Sequence, residues 1–428
     1  AINKQLQKSA PKEYTDALDE FNTYKDSLRK ITYDALSLQK NNSLYSALQD
    51  IQYLRNLQND DFDHSALNSF SIADKLNNLI EQCINYGTLP FAVLARHGFI
   101  AESLLRSAVD QNSISEERLV EFRRSIITVA GEMSHDFNRV LGNELSKSEY
   151  LSTYGHLRPG SYDILSANYS NRNDLFDGEI HREHIDNKLF QLSAFEEKKI
   201  NQLLINHEFP GISAKQIFQY AEEAIKGREY AKFVFTKHLS AILELVAKWG
   251  ETKGFTRQDM SMISINEILE ILTKPLTTDV KSSFKKKIAK ARDNYKVSSS
   301  FKLSYLIRST RDVHIVPMQR SQPNFVGDQR IEGDIAYLTP YIKEIPILKG
   351  KIVCIEGADP GYDWIFTRNI AGLITKYGGA NSHMAIRCAE YGLPAAIGCG
   401  EQPFQRLLKA KKVLLDCVGK KLDPIEFN

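Results

Sequence analysis

The chain has 428 residues, with 55 basic and 53 acidic side chains and a formal net charge of +2 at pH 7. This length allows two or three domains with ample core, and the balanced charge excludes bulk attraction to nucleic acid or an anionic membrane. The five cysteines form no CxxC pair and indicate free thiols in a reducing cytoplasm, where we expect the protein to reside. We expect neither a signal peptide nor a membrane span, because no apolar run is long enough. Since Ala1 lies within helical sequence, we expect a fragment or a processed chain.

Residues 1–312 are predicted to be mostly helical, because polar and apolar residues alternate at helical spacing with few interruptions. The strongest helix is Ala92–Val109, which is apolar on most of its circumference and is therefore expected to be buried. Arg96 and His97 lie within it, and either have partners in the protein or contact a ligand. Arg96 is kept as a candidate acceptor-binding residue, that is, one that contacts the small molecule receiving a transferred group. Trp249 is expected to anchor a core farther along the chain.

The helical pattern is interrupted at Tyr154–Ser166, YGHLRPGSYDILS, where Pro159 and Gly160 force a turn. Loops that concentrate polar groups often carry function. The candidate acceptor-binding residues of this loop are His156, Arg158, Tyr162 and Asp163. The alternative is structural, with Arg158 and Asp163 pairing to brace the turn.

Two segments follow before the C-terminal domain. Lys281–Lys296 carries a run of positive charge, which is typical of a solvated helix face and alternatively borders a nucleotide site. Residues 313–330 contain two prolines and polar spacers. They are predicted to be a hinge linker that connects the helical region to a domain at residues 331–428.

The C-terminal domain is predicted to be a compact α/β unit, because short apolar strands alternate with helical segments. The predicted strands are Ile352–Glu356, Ala371–Lys376, Ala395–Gly398 and Lys412–Asp416. A turn and helix start are predicted at Ala358–Trp364. The predicted fold is therefore multidomain, with a mostly α-helical central domain followed by a compact α/β (β/β/α) domain.

One histidine of this domain, His383, follows a pair of glycines and two residues suited to a helix N-cap. Gly378 and Gly379 supply a turn that needs backbone freedom, and two good N-cap residues follow, so a helix is predicted to begin at His383. Free backbone N–H groups and the helix dipole attract anions there, while a neutral imidazole can attack phosphorus. The alternative is a plain surface or capping histidine. The predicted phosphate-supporting residues are Gly378, Gly379, Asn381, Ser382 and Arg387, and no metal ligand is predicted.

Residues 371–400, AGLITKYGGANSHMAIRCAEYGLPAAIGCG, resemble the phosphohistidine swivelling domain of the PEP-utilising enzymes. This family includes pyruvate phosphate dikinase, PEP synthase and rifampin phosphotransferase. In it the histidine of the Ser-His pair carries phosphate between distant sites, and that histidine matches His383. The family's usual Ala-Arg-Glu is replaced by Cys388-Ala389-Glu390, and an arginine stands earlier, at Arg387.

Two longer strings, ADPGYDWIFTRNIAGLITKYGGANSHMAIRCAE and GHLRPGSYDI, resemble one subfamily, the L-glutamine kinases of capsule phosphoramidate biosynthesis. The resemblance covers most of residues 90–428 and implies an ATP-grasp domain, a central helical domain and a C-terminal histidine domain. It further implies that ATP gives its β-phosphoryl group to His383, releasing AMP and phosphate, and that the side-chain amide of L-glutamine then accepts it.

The sequence carries no ATP-grasp signature, so we expect this chain to be the portion of such an enzyme that lacks the ATP site. ATP and Mg²⁺ would then be cofactors of the intact enzyme, and an ATP-grasp domain would be a partner. Two alternatives remain open. One is a rifampin-type phosphotransferase acting on another small-molecule acceptor, and the other is a non-catalytic phosphocarrier module.

Overall fold

The computed structural model describes residues 11–36, 42–58, 69–177, 190–207, 209, 211–273, 279–301, 303, 307, 309–314, 322–341, 345–380 and 382–427. Within these ranges, no helix combines the length and the apolar character needed to span a membrane.

Helices dominate the described residues before the C-terminal sheet, which confirms the predicted helical region. They are α1 (Pro11–Leu36), α2 (Ser43–Leu57), α3 (Ser69–Cys83), α4 (Leu89–Asp110), α5 (Glu116–Ser125), α6 (Val129–Leu141), α7 (Lys147–Tyr154), α8 (Ala194–Asn206), α9 (Ala214–Thr252), α10 (Arg257–Met260), α11 (Ile265–Thr273), α12 (Val280–Ser298) and α13 (Arg311–His314). A π-helical turn, Ile84–Thr88, joins α3 to α4, and a 3-10 turn, Tyr169–Asn171, follows α7.

The chain forms two compact units, of which the first comprises Ala1–Asp60, Ile84–Val129 and Asp186–Phe235. In this unit α2 packs against α4. The Asn42 side chain caps α2 by accepting from the Tyr45 amide at 2.9 Å, and Pro90 lies in the first turn of α4, where a missing N–H is tolerated. Apolar residues at helical spacing then face inward and are 0% exposed: Leu44, Ile51, Leu54, Leu94 and Leu105.

His97 lies on the buried face of α4. Its Nε2 is 2.9 Å from Ser43 Oγ, and its Nδ1 is 3.0 Å from the Tyr220 hydroxyl. Both ring nitrogens therefore have protein partners, which confirms the structural alternative for His97. The neighbouring Arg96 is exposed.

The burial of His97 predicts a dependence of stability on pH. Burial lowers the pKa of this imidazole to about 4, and Arg96 adds to the effect, whereas an unfolded histidine titrates near 6.5. The neutral side chain therefore contributes stability above pH ~6.5 that is lost as the pH falls toward 4, by up to about 3 kcal/mol. We expect His97→Asn to flatten the fall in the free energy of unfolding over this range, measured by urea titration.

His135→Asn is the matched control, because His135 is an exposed histidine on α6. Its free energy of unfolding should follow the wild-type pH dependence. Equal slopes for His97→Asn and the wild type between about pH 7 and 4 would contradict the assignment to His97.

The second unit comprises Asp61–Cys83, Ala130–Ile185 and Thr236–Asn428. In its helical part α3 packs against α11. Trp249 of α9 is 2% exposed and meets Phe284 of α12 edge-on, with ring centroids 5.6 Å apart, so its predicted core role is confirmed. Phe284 and Ile288 turn one face of α12 inward, whereas Lys285 and Lys286 are exposed. The positive run is therefore the solvated face of a helix, as predicted.

A seven-stranded mixed sheet forms the C-terminal part of this unit. Its strands are β1 (Asn324–Val326), β2 (Arg330–Leu338), β3 (Ile352–Gly357), β4 (Gly372–Tyr377), β5 (Ala395–Ile397), β6 (Ala410–Asp416) and β7 (Lys421–Phe427). The strand order is β1-β5-β4-β3-β2-β6-β7. The four central strands, β2 to β5, run parallel to one another. At the two sides of the sheet the pairing is antiparallel: β1 pairs with β5, β6 with β2, and β7 with β6. Helix α14 (His383–Glu390) connects β4 to β5, and α15 (Glu401–Leu407) connects β5 to β6.

The two central strands, β3 and β4, fix the position of the loops that carry the candidate functional site. Val353 and Cys354 of β3, like Leu373 and Ile374 of β4, are 0% exposed, as expected for parallel strands covered on both faces. The register pairs the last residues of the two strands, Gly357 of β3 and Tyr377 of β4. The loops that follow these strands therefore leave from the same edge of the sheet.

The predicted strands are confirmed to within a few residues, and three further strands, β1, β2 and β7, lie outside the prediction. β1 falls inside the segment predicted as a linker, at its end next to the sheet. β7 includes Pro424 and mostly exposed side chains, so it lacks an apolar pattern, and its pairing with β6 decides its conformation. The hinge at 313–330 and the domain boundary at 331 stay predictions.

Candidate functional site

Two loops meet at the shared edge of β3 and β4. After β3 the chain forms a 3-10 helix, Pro360–Arg368, where a turn and helix start were predicted. The Asp359 side chain caps it by accepting from the Gly361 amide at 2.8 Å. After β4 the chain passes through Gly378 and enters α14. This topology brings together two segments that are separated in the sequence by strand β4.

Helix α14 begins at His383, as predicted. The Ser382 hydroxyl accepts a hydrogen bond from the Ala385 amide at 3.4 Å, which is the expected N-cap contact. The helix closes with Gly392 at φ +61, a conformation that favours glycine, while the Leu393 amide donates to the Cys388 carbonyl at 2.8 Å. The other predicted cap residue, Asn381, lies outside the described residues.

The two glycines before α14 differ in their structural requirements, which corrects the prediction that both need backbone freedom. Gly378 has φ +140, and a Cβ built on it would lie 2.9 Å from the Ala358 Cβ. Gly379 has no such φ, and among the described residues no heavy atom outside its immediate neighbours lies within 4 Å of a Cβ built there. Only Gly378 is required by the fold at this turn.

Gly378→Ala should therefore destabilise the protein by about 1–3 kcal/mol, because the new side chain combines backbone strain with a clash. Gly379→Ala is the matched control and should change the free energy of unfolding by less than about 0.5 kcal/mol. Chemical denaturation of both variants tests the distinction. Equal losses of stability in the two variants would show that it is wrong.

The central contact of the site joins His383 to Asp363. His383 Nε2 lies 2.6 Å from Asp363 Oδ1, and the two side chains are 11% and 2% exposed. Asp363 belongs to the 3-10 helix that follows β3, so the register of β3 and β4 creates this contact. The sequence singled out His383, whereas Asp363 lay only within the turn and helix start predicted at Ala358–Trp364. It assigned Asp363 no role.

Arg387 is the second partner of Asp363, with its Nε 3.4 Å from Asp363 Oδ2. Its other guanidinium nitrogens donate to the Glu390 carboxylate and, at 2.8 Å, to the Tyr391 hydroxyl. Burial alone would lower the pKa of Arg387, but Asp363, Tyr391 and Glu390 outweigh burial and raise it. Nε and Oδ2 are close enough for an ion pair but make no hydrogen bond. The guanidinium is buried against Asp363, Glu390 and Tyr391, and direct phosphate support by Arg387 stays a prediction.

The far end of α14 is anchored by Tyr391. Its hydroxyl hydrogen-bonds the Ser134 hydroxyl of α6, and its ring stacks on Phe366 with centroids 5.1 Å apart. The Arg387 guanidinium lies over the same ring, 4.6 Å from the centroid. These contacts fix the orientation of α14, and with it the direction in which His383 points.

Arg158 of the predicted acceptor loop is one of the most deeply buried charged side chains described here, with 1% of its side chain exposed. Its Nη2 donates to Ser240 Oγ at 2.7 Å and to Glu244 Oε1 at 3.1 Å, and its Nη1 donates to the Ser166 carbonyl at 3.1 Å. Burial lowers the pKa of Arg158, although Glu244 opposes this. This arrangement corrects the prediction that Arg158 clamps an acceptor carboxylate, because its forked donors already bind the protein.

The other candidate residues of the loop differ in their environments. Asp163 accepts from the Leu165 amide at 2.8 Å and from the Tyr341 hydroxyl, so its carboxylate braces the loop. Tyr162 is 63% exposed, and His156 is half-buried. Arg96 belongs to the other compact unit, and its acceptor-binding role stays a prediction.

The loop packs directly on the turn that carries Asp363. A Cβ built on Gly361 would lie 1.9 Å from the Arg158 carbonyl oxygen, so the two backbones touch. The Tyr169 hydroxyl donates to the Gly361 carbonyl at 3.0 Å, and the Ser161 hydroxyl lies 3.3 Å from Asp359 Oδ2. The structure thus brings GHLRPGSYDI and ADPGYDW, two strings far apart in sequence, into one cluster.

Replacement of Arg158 should therefore affect folding before it affects ligand binding. Arg158→Lys keeps the charge but cannot reproduce the forked bonds, and should lower the free energy of unfolding by about 1–3 kcal/mol. Arg96→Lys, at an exposed position, is the matched control and should change it by less than about 0.5 kcal/mol. An Arg158→Lys variant of wild-type stability that no longer responds to an acceptor would restore the clamp hypothesis.

Among the described residues, no group of three or more histidine, cysteine, aspartate or glutamate side chains is placed to hold a metal ion. The residues gathered at this sheet edge define one class of site, a histidine at a helix N-terminus beside a buried carboxylate.

Comparison with known families agrees with this class. Residues 347–419 match the family described as PEP-utilising enzyme, mobile domain. The matched segment runs from before β3 to just after β6 and contains both Asp363 and His383. A domain of this kind carries a phosphoryl group on a histidine, so the match supports a phosphotransfer function. A search of the curated proteins finds no match.

Proposed function

We propose that this chain is the phosphotransfer portion of an ATP-dependent phosphotransferase and that His383 is its phosphoryl carrier. The observation that carries the proposal is the position of His383, in the first turn of α14 within the matched domain and 2.6 Å from a buried carboxylate. ATP and Mg²⁺ are assigned to an ATP-grasp domain that acts as partner.

In the first half-reaction a nitrogen of His383 attacks the β-phosphorus of ATP. The N–P bond forms as the bond between the β-phosphorus and the AMP oxygen breaks, so AMP leaves and a pyrophosphohistidine remains. Water then attacks its γ-phosphorus, and phosphate leaves. In the second half-reaction the acceptor nitrogen attacks the phosphohistidine, the N–P bond to His383 breaks, and the proton lost by the acceptor returns the imidazole to its neutral form. Such transfers depend mostly on positioning and on stabilisation of the phosphoryl oxygens.

The N-terminus of α14 suits those oxygens. The first amides of a helix point outward, and its dipole favours an anion there by roughly 0.3–1 kcal/mol. No other heavy atom of the described part of the chain lies within 4 Å of a Cβ built on Gly379, so a phosphoryl group can approach the backbone closely there. These features support Gly379 and Ser382 as phosphate contacts, with Gly378 shaping the turn.

For the acceptor we propose L-glutamine, on the basis of the two strings that resemble the glutamine kinases. These strings form one cluster around Gly361, next to the turn of Asp363. Within the cluster, Tyr162 and His156 are the candidate acceptor contacts, because the polar groups of Arg158 and Asp163 are occupied by the protein. The second candidate function, a non-catalytic phosphocarrier, is favoured by the absence of an ATP-grasp signature from the sequence.

His383→Asn should abolish formation of acid-labile phosphohistidine, because the nucleophile is removed. We would treat the chain with phosphoramidate, a small-molecule donor, and separately with ATP and a purified ATP-grasp domain, and detect the bound phosphate by ³¹P NMR. His135→Asn, which removes an exposed histidine on α6, is the control and should be labelled like the wild type. Undiminished labelling of His383→Asn would end the carrier proposal.

The acceptor is tested with the phosphorylated chain itself. Addition of L-glutamine should discharge the phosphohistidine and yield a phosphorylated side-chain amide, detectable by its ³¹P signal. A phosphohistidine that forms normally but survives glutamine would remove glutamine as acceptor and favour the carrier module.

A further inference from the structure

The carboxylate of Asp363 lies between two nitrogen groups. One oxygen, Oδ1, is 2.6 Å from His383 Nε2, and the other, Oδ2, is 3.4 Å from Arg387 Nε. All three side chains are nearly or fully buried. Such a carboxylate can orient an imidazole only if its own position is fixed, and Arg387, held in turn by Glu390 and Tyr391, fixes it.

The hydrogen-bonding capacity of these groups determines where the imidazole proton lies. An ionised carboxylate has no proton to give, so a bond of 2.6 Å to His383 requires the proton on Nε2. A neutral imidazole has one N–H, and its lone pair is then on Nδ1. Arg387 is positively charged and has no acceptor atom, so its charge favours an ionised oxygen at Oδ2, with which Nε makes an ion pair but no hydrogen bond.

We infer that Asp363 is a positioning residue that fixes the Nε2-protonated tautomer of His383 and holds the ring in the orientation seen here. While this contact lasts, Nε2 is occupied and cannot attack phosphorus. As long as the contact holds, Nδ1 carries the lone pair. A phosphoryl group reaches Nε2 only after the ring has left Asp363 and its proton has moved to Nδ1. The functional meaning of this inference rests on the proposed carrier role of His383. The tautomer itself can be measured without any phosphoryl donor.

Asp363→Asn is the informative substitution because it keeps the shape and changes the donor pattern. The Arg387 guanidinium faces one arm of the new amide and can only donate, so that arm must be the carbonyl oxygen. The amide nitrogen then faces His383 Nε2 and donates to it. The variant should therefore move the imidazole proton from Nε2 to Nδ1.

The test is ¹⁵N NMR of the full chain labelled at histidine, recorded at alkaline pH so that imidazoles are neutral. The chain has 10 histidines, and the His383 signals are identified by their loss in His383→Asn. In the wild type, Nε2 should give the signal of a protonated nitrogen and Nδ1 that of a bare one, and Asp363→Asn should exchange the two. Asp359→Asn is the matched control, since asparagine caps a helix as well as aspartate, and should leave the pattern unchanged.

A bare Nε2 in the wild type would overturn the inference, and this measurement does not depend on whether the variant folds. An Asp363→Asn variant that is folded but keeps the wild-type pattern would also overturn it. Either result leaves the carrier role intact if phosphoramidate still labels His383. Conversely, the tautomer could be confirmed while the chain never forms phosphohistidine. That combination would reject the proposed function but not the positioning role of Asp363.

Discussion

A buried carboxylate shared between an imidazole and a guanidinium is the interaction on which the site depends. Asp363 contacts His383 on one side and Arg387 on the other, and both belong to α14. The Asp363 carboxylate and the Arg387 guanidinium are both charged, and burying a charge is costly unless it has a close partner. Asp363, Arg387 and His383 therefore depend on one another for a stable arrangement. The helix, the turn before it and the 3-10 helix after β3 are therefore held in one arrangement.

The same need for partners explains the second buried arginine. Arg158 binds Glu244 and Ser240 of α9 and holds its loop against the turn at Gly361. The loop thus forms part of the support behind Asp363. If an acceptor binds nearby, it contacts the exposed or half-buried groups of this cluster, such as Tyr162 and His156, since the buried ones are committed to the fold.

The sequence by itself determined those features that depend on neighbouring residues. Ser382 and Gly392 mark the two ends of α14 because capping is a local hydrogen-bonding requirement. The apolar runs of β3 and β4 mark buried strands for a similar reason, and the Gly-Gly…Ser-His string singled out His383. The segment matched to the mobile domain contains these features.

Only the tertiary structure decided which distant groups meet. The partner of His383 lies 20 residues earlier, and the register of β3 and β4 brings it there. Whether Arg158 faces solvent or a partly buried glutamate depends on α9, more than 80 residues away. Strand β7 has no pattern of its own and exists through its pairing with β6. In each case the deciding contact joins residues far apart in the sequence, so the residues next to each one in the chain do not predict it.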